Sequence, residues 1–284
     1  MRIIIILFLF LLSYTAHGQL DERFRFASVH TVEERSSYSI FYPLNKSTYK
    51  GVVVLIHSNQ ASNPAVYGNF INKLLNENLI VIYPSFQSFA QSNNKLDKKY
   101  ISESLDQAYD DIKLNYEDIM SLPVAFIGHS MGGVIVYEMA LGQISVPKKP
   151  SCVISVCPAE VRHHKLDKLD YNKLDSYDVY LVIEEEKDKF YRRGTGKQIT
   201  SELHNAKRKK YILHKKSEDS DSKHLNFWSH NKDYSSKNNT LVTYFRKRLG
   251  KTNQVDKEVY WPIMIQALDC AFSRQDCDTF RTQQ

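Results

Sequence analysis

The chain has 284 residues, 42% of them hydrophobic and 25% charged, with only 10 Gly and 8 Pro. That profile excludes a disordered, collagen-like or fibrous protein and fits a globular core. Lys and Arg outnumber Asp and Glu by 38 to 32, a formal charge of +6, too small an excess to argue for nucleic-acid binding.

Arg2 precedes an apolar run from Ile3 to Leu12, which leads to Ala16-His17-Gly18, a small-x-small sequence suited to signal peptidase. As a helix such a run rises about 15 Å, half of a bilayer core of roughly 30 Å. Residues 1–18 therefore read as a cleaved secretory signal, and the expected location is secreted or periplasmic. No later stretch is long and apolar enough to span a membrane.

Arg35 to Tyr42 alternates as a half-buried strand, and Gly51 to Ile56 (GVVVLI) is the continuous apolar run of a strand covered on both faces. A helix is expected from Pro64 to Asn76, with Asn63 as its cap. Leu79 to Tyr83 reads as the next buried strand, stopped by Pro84. A second helix is expected from Lys99 through Tyr116. The segment VAFIGHSMGG then reads as strand, turn and helix, the helix reaching Leu141. Further strands are expected at Cys152 to Val156, Val179 to Ile183 and Tyr211 to His214, and a closing amphipathic helix at Leu241 to Leu249. Strands alternating with helices predict an α/β, mostly parallel, doubly wound sheet. The twenty-residue connector from Ala159 to Asp178 leaves no room for a large lid domain. The domain is expected over residues 19–250, with 251–284 as a tail packed back on the sheet edge.

Cys270 and Cys277 lie close enough along the chain for a short loop to bridge them, as an oxidising compartment allows. Cys152 and Cys157 share one predicted strand, which would hold them about 16 Å apart, so they read as buried free thiols. None of the cysteine spacings resembles a zinc site, and neither metal nor cofactor is expected.

Gly128-His129-Ser130-Met131-Gly132 is a G-x-S-x-G placed directly between a strand and a helix. A sharp turn there crowds the Ser backbone, requires small residues two positions away on each side, and presents the hydroxyl above the strand ends. The helix N-terminus would set the Met131 amide where an oxyanion forms. With this motif the chain resembles the α/β-hydrolase superfamily over roughly Phe24 to Gly250. The resemblance implies a carboxylate after a late strand and a His after the last strand. Asp188, in Glu184-Glu185-Glu186-Lys187-Asp188, fills the first place, with Glu184 and Glu186 as rivals. His224, in Lys223-His224-Leu225-Asn226-Phe227, fills the second, ahead of His214 and His230. His129 is expected to point away from the site.

The resemblance also implies a second oxyanion donor after GVVVLI. The superfamily often has His-Gly there, whereas this chain has His57-Ser58-Asn59; the Asn59 N–H is the first candidate and Ser58 the second. Tyr67 and Phe86 are expected near the pocket mouth, lining an acyl site. The chemistry implied is ester hydrolysis: Ser130 attacks, His224 moves the proton, and Asp188 orients His224. The short connector looks like the lidless cutinase-like or chlorophyllase-like branch. A monomer acting on small or polymeric esters is expected. An acyltransferase or peptidase on the same triad, or a non-catalytic binding protein with this fold, are the alternatives.

Overall fold

The computed structural model describes residues 24–29, 36–43, 48–59, 61–87, 94–159, 169–176, 178–189, 194–216, 223–234, 252–273 and 277–280. The expected signal segment and the helix expected at Leu241 to Leu249 lie outside them.

Eight strands form one sheet: β1 (Phe24–Val29), β2 (Ser37–Pro43), β3 (Gly51–Ile56), β4 (Leu79–Ser85), β5 (Val124–His129), β6 (Cys152–Val156), β7 (Val179–Glu185) and β8 (Arg208–His214), in the order β1-β2-β4-β3-β5-β6-β7-β8. The first two strands pair antiparallel, and β3 to β8 run parallel. The helices are α1 (Gly68–Asn76), α2 (Asn94–Asn115), α3 (Met131–Ala140), α4 (Thr195–Glu202) and α5 (Trp261–Ser273).

The strand period of two divides the core. Val53, Leu55, Ile127, Ile154 and Leu181 face α1 and α5, whereas Val52, Val54, Phe126, Val153 and Val182 face α2, α3 and α4. Both faces being covered explains why β3 reads as an unbroken apolar run. The Asn63 side chain accepts from the Ala65 N–H, 3.0 Å away, but the first turn, Pro64–Tyr67, is a tighter 3-10 turn that leads into α1.

Strand β4 runs through Pro84 to Ser85 instead of stopping at Tyr83. Its ladder with β3 ends at Ile82, so from there only the β2 side is paired, and Pro84 lies opposite Tyr38. The apolar stretch after Trp261 packs on the sheet face over β6 and β7, through Met264, Ala267 and Leu268, instead of at the edge. Cys270 and Cys277 are joined with sulfurs 2.08 Å apart, and Cys152 and Cys157 are buried and unbridged.

Candidate active site

The chain leaves β3 in one direction to form β4 and returns across it through α2 to β5, so β3 and β5 are neighbours whose outgoing connections diverge. Such a switch point opens a crevice at the carboxyl ends of the strands. Two loops meet there, His57-Ser58-Asn59 after β3 and Ser130 after β5.

Ser130 sits at φ 59°, ψ −118°, a left-handed conformation that costs an L-residue energy and persists only where its surroundings fix it. Its N–H donates to the Val156 carbonyl at 2.8 Å, and its own carbonyl accepts from Gly133 and Ala159, each at 2.9 Å. A Cβ at Gly128 would lie 2.0 Å from the Gly132 carbonyl oxygen, and one at Gly132 would lie 2.3 Å from that of Ile56. The turn can therefore form only with glycine at both places. The Met131 amide opens α3 beside Ser130.

Strand β7 extends two residues beyond the expected end, so Glu184 and Glu185 are buried strand residues rather than part of a solvated loop. Glu184 accepts from the Gly196 N–H at 2.7 Å and the Tyr211 hydroxyl at 2.7 Å, and so serves the start of α4. Glu185 is paired with His214 Nδ1 at 2.7 Å and with the Tyr260 hydroxyl. Glu186 accepts from the Lys216 N–H at 3.3 Å. Asp188 contacts His224: its Oδ2 lies 2.6 Å from His224 Nδ1. His224 is 4% exposed and opens a short 3-10 turn whose Phe227 is buried against Tyr67, Phe70 and His129.

The His129 ring lies against the loop that carries His224, 4.9 Å from the His224 ring. Its Nε2 is 3.0 Å from the His224 carbonyl oxygen, and its Nδ1 is 3.0 Å from Tyr67 Oη. Tyr67 Oη also accepts from the Ser58 N–H at 3.1 Å and lies 3.1 Å from Ser58 Oγ. Burial, and next the nearby His224, hold the His129 pKa well below its ordinary value. The ring is therefore neutral. In the tautomer that donates Nε2–H to the His224 carbonyl, Nδ1 is an acceptor, and the Tyr67 hydroxyl donates to it. Tyr67 thus joins the loop after β3 to the loop carrying His224. Its own pKa is pushed up to about 12 by burial.

Tyr67 and Phe86 are both fully buried, which corrects their expected place at the pocket mouth. Tyr67 supports Ser58 and His129, and Phe86 stacks on His57 with ring centroids 4.1 Å apart. His57 is held neutral, its pKa lowered to about 4 by burial, and Nδ1–H donates to the Ser58 carbonyl at 2.7 Å. Ser58 replaces the common glycine without strain: among the described residues the non-glycine positive φ angles are those of Asn78, Ser130 and Cys157. Tyr67 engages the Ser58 N–H, whereas Asn59, the other candidate donor, is an exposed turn residue.

One cluster had no signal in the sequence. A ring nitrogen of His129, the Cys157 sulfur and a ring nitrogen of His224 lie within 4.8 Å of one another, all three residues buried.

No protein-family model matches the chain, and no curated protein matches its sequence. Solved structures do match. MGS-M1, an alpha/beta hydrolase from a Medee basin deep-sea metagenome library, is 13% identical, with 89% of this chain and 99% of that one covered at a TM-score of 0.60. Esterase B from Lactobacillus rhamnosis, inhibited by a tributyrin phosphonate, is 15% identical, with 90% and 88% covered at 0.58. The chain therefore adopts the α/β-hydrolase fold, and no large lid domain is present among the described residues.

Proposed function

We propose that the protein is a serine esterase in which Ser130 is the nucleophile, His224 the general base and Asp188 the carboxylate that orients it. The observation that carries this reading is the 2.6 Å contact of Asp188 with His224 Nδ1, supported by the strained elbow at Ser130, whose chain neighbour His129 lies 3.0 Å from the His224 carbonyl oxygen. A serine hydroxyl is a poor nucleophile near neutral pH, so a neutral imidazole must take its proton. Asp188, by accepting from Nδ1–H, fixes the tautomer in which Nε2 carries the free lone pair, and it stabilises the imidazolium that forms.

In the reaction Ser130 Oγ attacks the ester carbonyl as His224 Nε2 takes its proton. The oxyanion is held by the N–H groups of Met131 and Asn59. Collapse expels the alcohol, which takes the proton from His224, and water repeats the sequence to release the acid. The tributyrin phosphonate on esterase B makes short-chain glycerol esters the first substrates to try. Secretion belongs to the same proposal, supported by the leader-like residues 1–18 and by the Cys270–Cys277 pair.

The test is hydrolysis of p-nitrophenyl esters from acetate to palmitate and of tributyrin, with fluorophosphonate labelling of the folded protein. Turnover that disappears in Ser130→Ala, together with a label on Ser130, is the expected result. Hydrolysis that persists in Ser130→Ala, or a folded protein that takes no label, would overturn the assignment.

A further inference from the structure

Beyond the esterase chemistry, the geometry points to an inhibitory site for a soft divalent cation, Zn²⁺, formed by Cys157, His129 and His224. Thiolate and imidazole are the ligands that zinc prefers, and one atom from each of these residues already lies within 4.8 Å of the other two. Tetrahedral zinc, with bonds of 2.0 to 2.3 Å, places its ligand atoms about 3.5 Å apart, so the three must draw in by about an ångström. A water fills the fourth position.

Cys157 is also the link to solvent. It lines a cavity of about 300 Å³ whose walls carry Glu184, Glu185, Glu186 and Asp188. The walls also carry Lys197, outnumbered four to one by these carboxylates; a cleft with such an excess of one sign of charge concentrates counter-ions, so the cavity draws cations toward the thiol. Burial, and after it Glu185, Asp188 and Glu184, push the Cys157 thiol up, and the cation, by binding sulfur, displaces its proton to solvent.

The Tyr67 hydroxyl makes room for the metal at His129. Its proton can point to His129 Nδ1 or to Ser58 Oγ, which lie at 3.0 and 3.1 Å. When the ring proton of His129 moves from Nε2 to Nδ1, it is donated to Tyr67 Oη, and the tyrosine proton turns to Ser58. Nε2 then has a lone pair for the metal, and the bond given up is the one to the His224 carbonyl. At His224 either nitrogen suffices for inhibition. Nε2 is the atom that must accept the Ser130 proton, and Nδ1 is the atom that Asp188 holds.

That Zn²⁺ inhibits rests on the esterase reading; that the cation binds does not, so two measurements separate them. In the first, the full chain, freed of metal by a chelator, is titrated with Co²⁺ in place of Zn²⁺. One Co²⁺ per chain should bind with a thiolate-to-metal charge-transfer band in the near ultraviolet. The band should be retained in Cys152→Ser and lost in Cys157→Ser. In the second, Zn²⁺ should inhibit p-nitrophenyl butyrate hydrolysis reversibly, and Cys157→Ser should need at least tenfold more Zn²⁺ for the same inhibition. A wild-type chain with no charge-transfer band overturns the site whether or not Cys157→Ser folds, as does equal zinc sensitivity of wild type and a folded Cys157→Ser. A band without esterase activity keeps the metal site and removes the esterase reading.

Discussion

Replacing Tyr67 by Phe removes one oxygen and leaves the ring in place, so it isolates the hydroxyl that joins the two loops. The oxygen accepts from the Ser58 N–H at 3.1 Å and lies 3.0 Å from His129 Nδ1, and both partners are buried, 4% and 0% exposed. Each group stranded without water costs about 1–3 kcal/mol. No cavity of note is created, so the expected loss of stability is about 2–6 kcal/mol. In a domain of this size that lowers Tm by at least roughly 4 °C and by up to roughly 20 °C. The kinetic effect should be larger than that of an ordinary core change if Asn59, next to Ser58, is the oxyanion donor proposed above. Losing one oxyanion donor outright costs about 3 kcal/mol, a hundredfold in kcat, and a loosened loop should lose part of this, about tenfold, with KM changed less. Thermal unfolding and the kinetics of p-nitrophenyl butyrate hydrolysis, measured well below Tm, test both parts. If Tm falls while kcat and KM stay at wild-type values, Tyr67 does not position the oxyanion loop; if neither changes, the network itself is wrong.

Asp188→Asn should lower kcat/KM by about four orders of magnitude with the fold intact, whereas Glu184→Gln, which weakens the start of α4, should cost stability and leave kcat unchanged; equal kinetic losses in the two would put the orienting carboxylate elsewhere. Asp256 is fully buried, and burial pushes its pKa up to about 7. The folded state therefore holds a proton that the unfolded state has lost between about pH 4 and pH 7, and stability falls as pH rises through that window. Asp256→Asn should remove this slope and be the more stable protein at pH 8 by a few kcal/mol, as read by urea unfolding at both ends of the range; an unchanged slope would refute the assignment. Reducing the Cys270–Cys277 link, which spans seven residues, should cost about 2–3 kcal/mol, and identical denaturation curves with and without reductant would show that it contributes nothing.

The sequence carried most of the fold because the sheet is covered on both faces. GVVVLI and CVISV had to be strands wherever they lay, and their bounds in the structure are those read from the apolar runs. The elbow was legible for the same kind of reason, since its glycines answer to atoms a few residues away. What was not legible depended on distant partners. Glu184 and Glu185 look like a solvated acidic loop until Gly196, Tyr211, His214 and Tyr260 supply the groups that let them be buried. His129 was legible as the last residue of its strand, but nothing local showed that the His224 carbonyl, 95 residues later, would lie 3.0 Å from its ring nitrogen. Tyr67 was placed near the right loops and given the wrong task, because an aromatic ring in a sequence does not reveal which way its hydroxyl faces.

Helix α5 is the last long element of the chain, yet it shields the middle of the sheet, over β6 and β7, from water. Until residues 261–273 have docked, Ile154, Leu181 and their neighbours lack the cover of Met264, Ala267 and Leu268 on that side. A chain lacking this helix would be an adhesive, half-clothed sheet, so residues 261–273 must be in place before the protein can hold its shape.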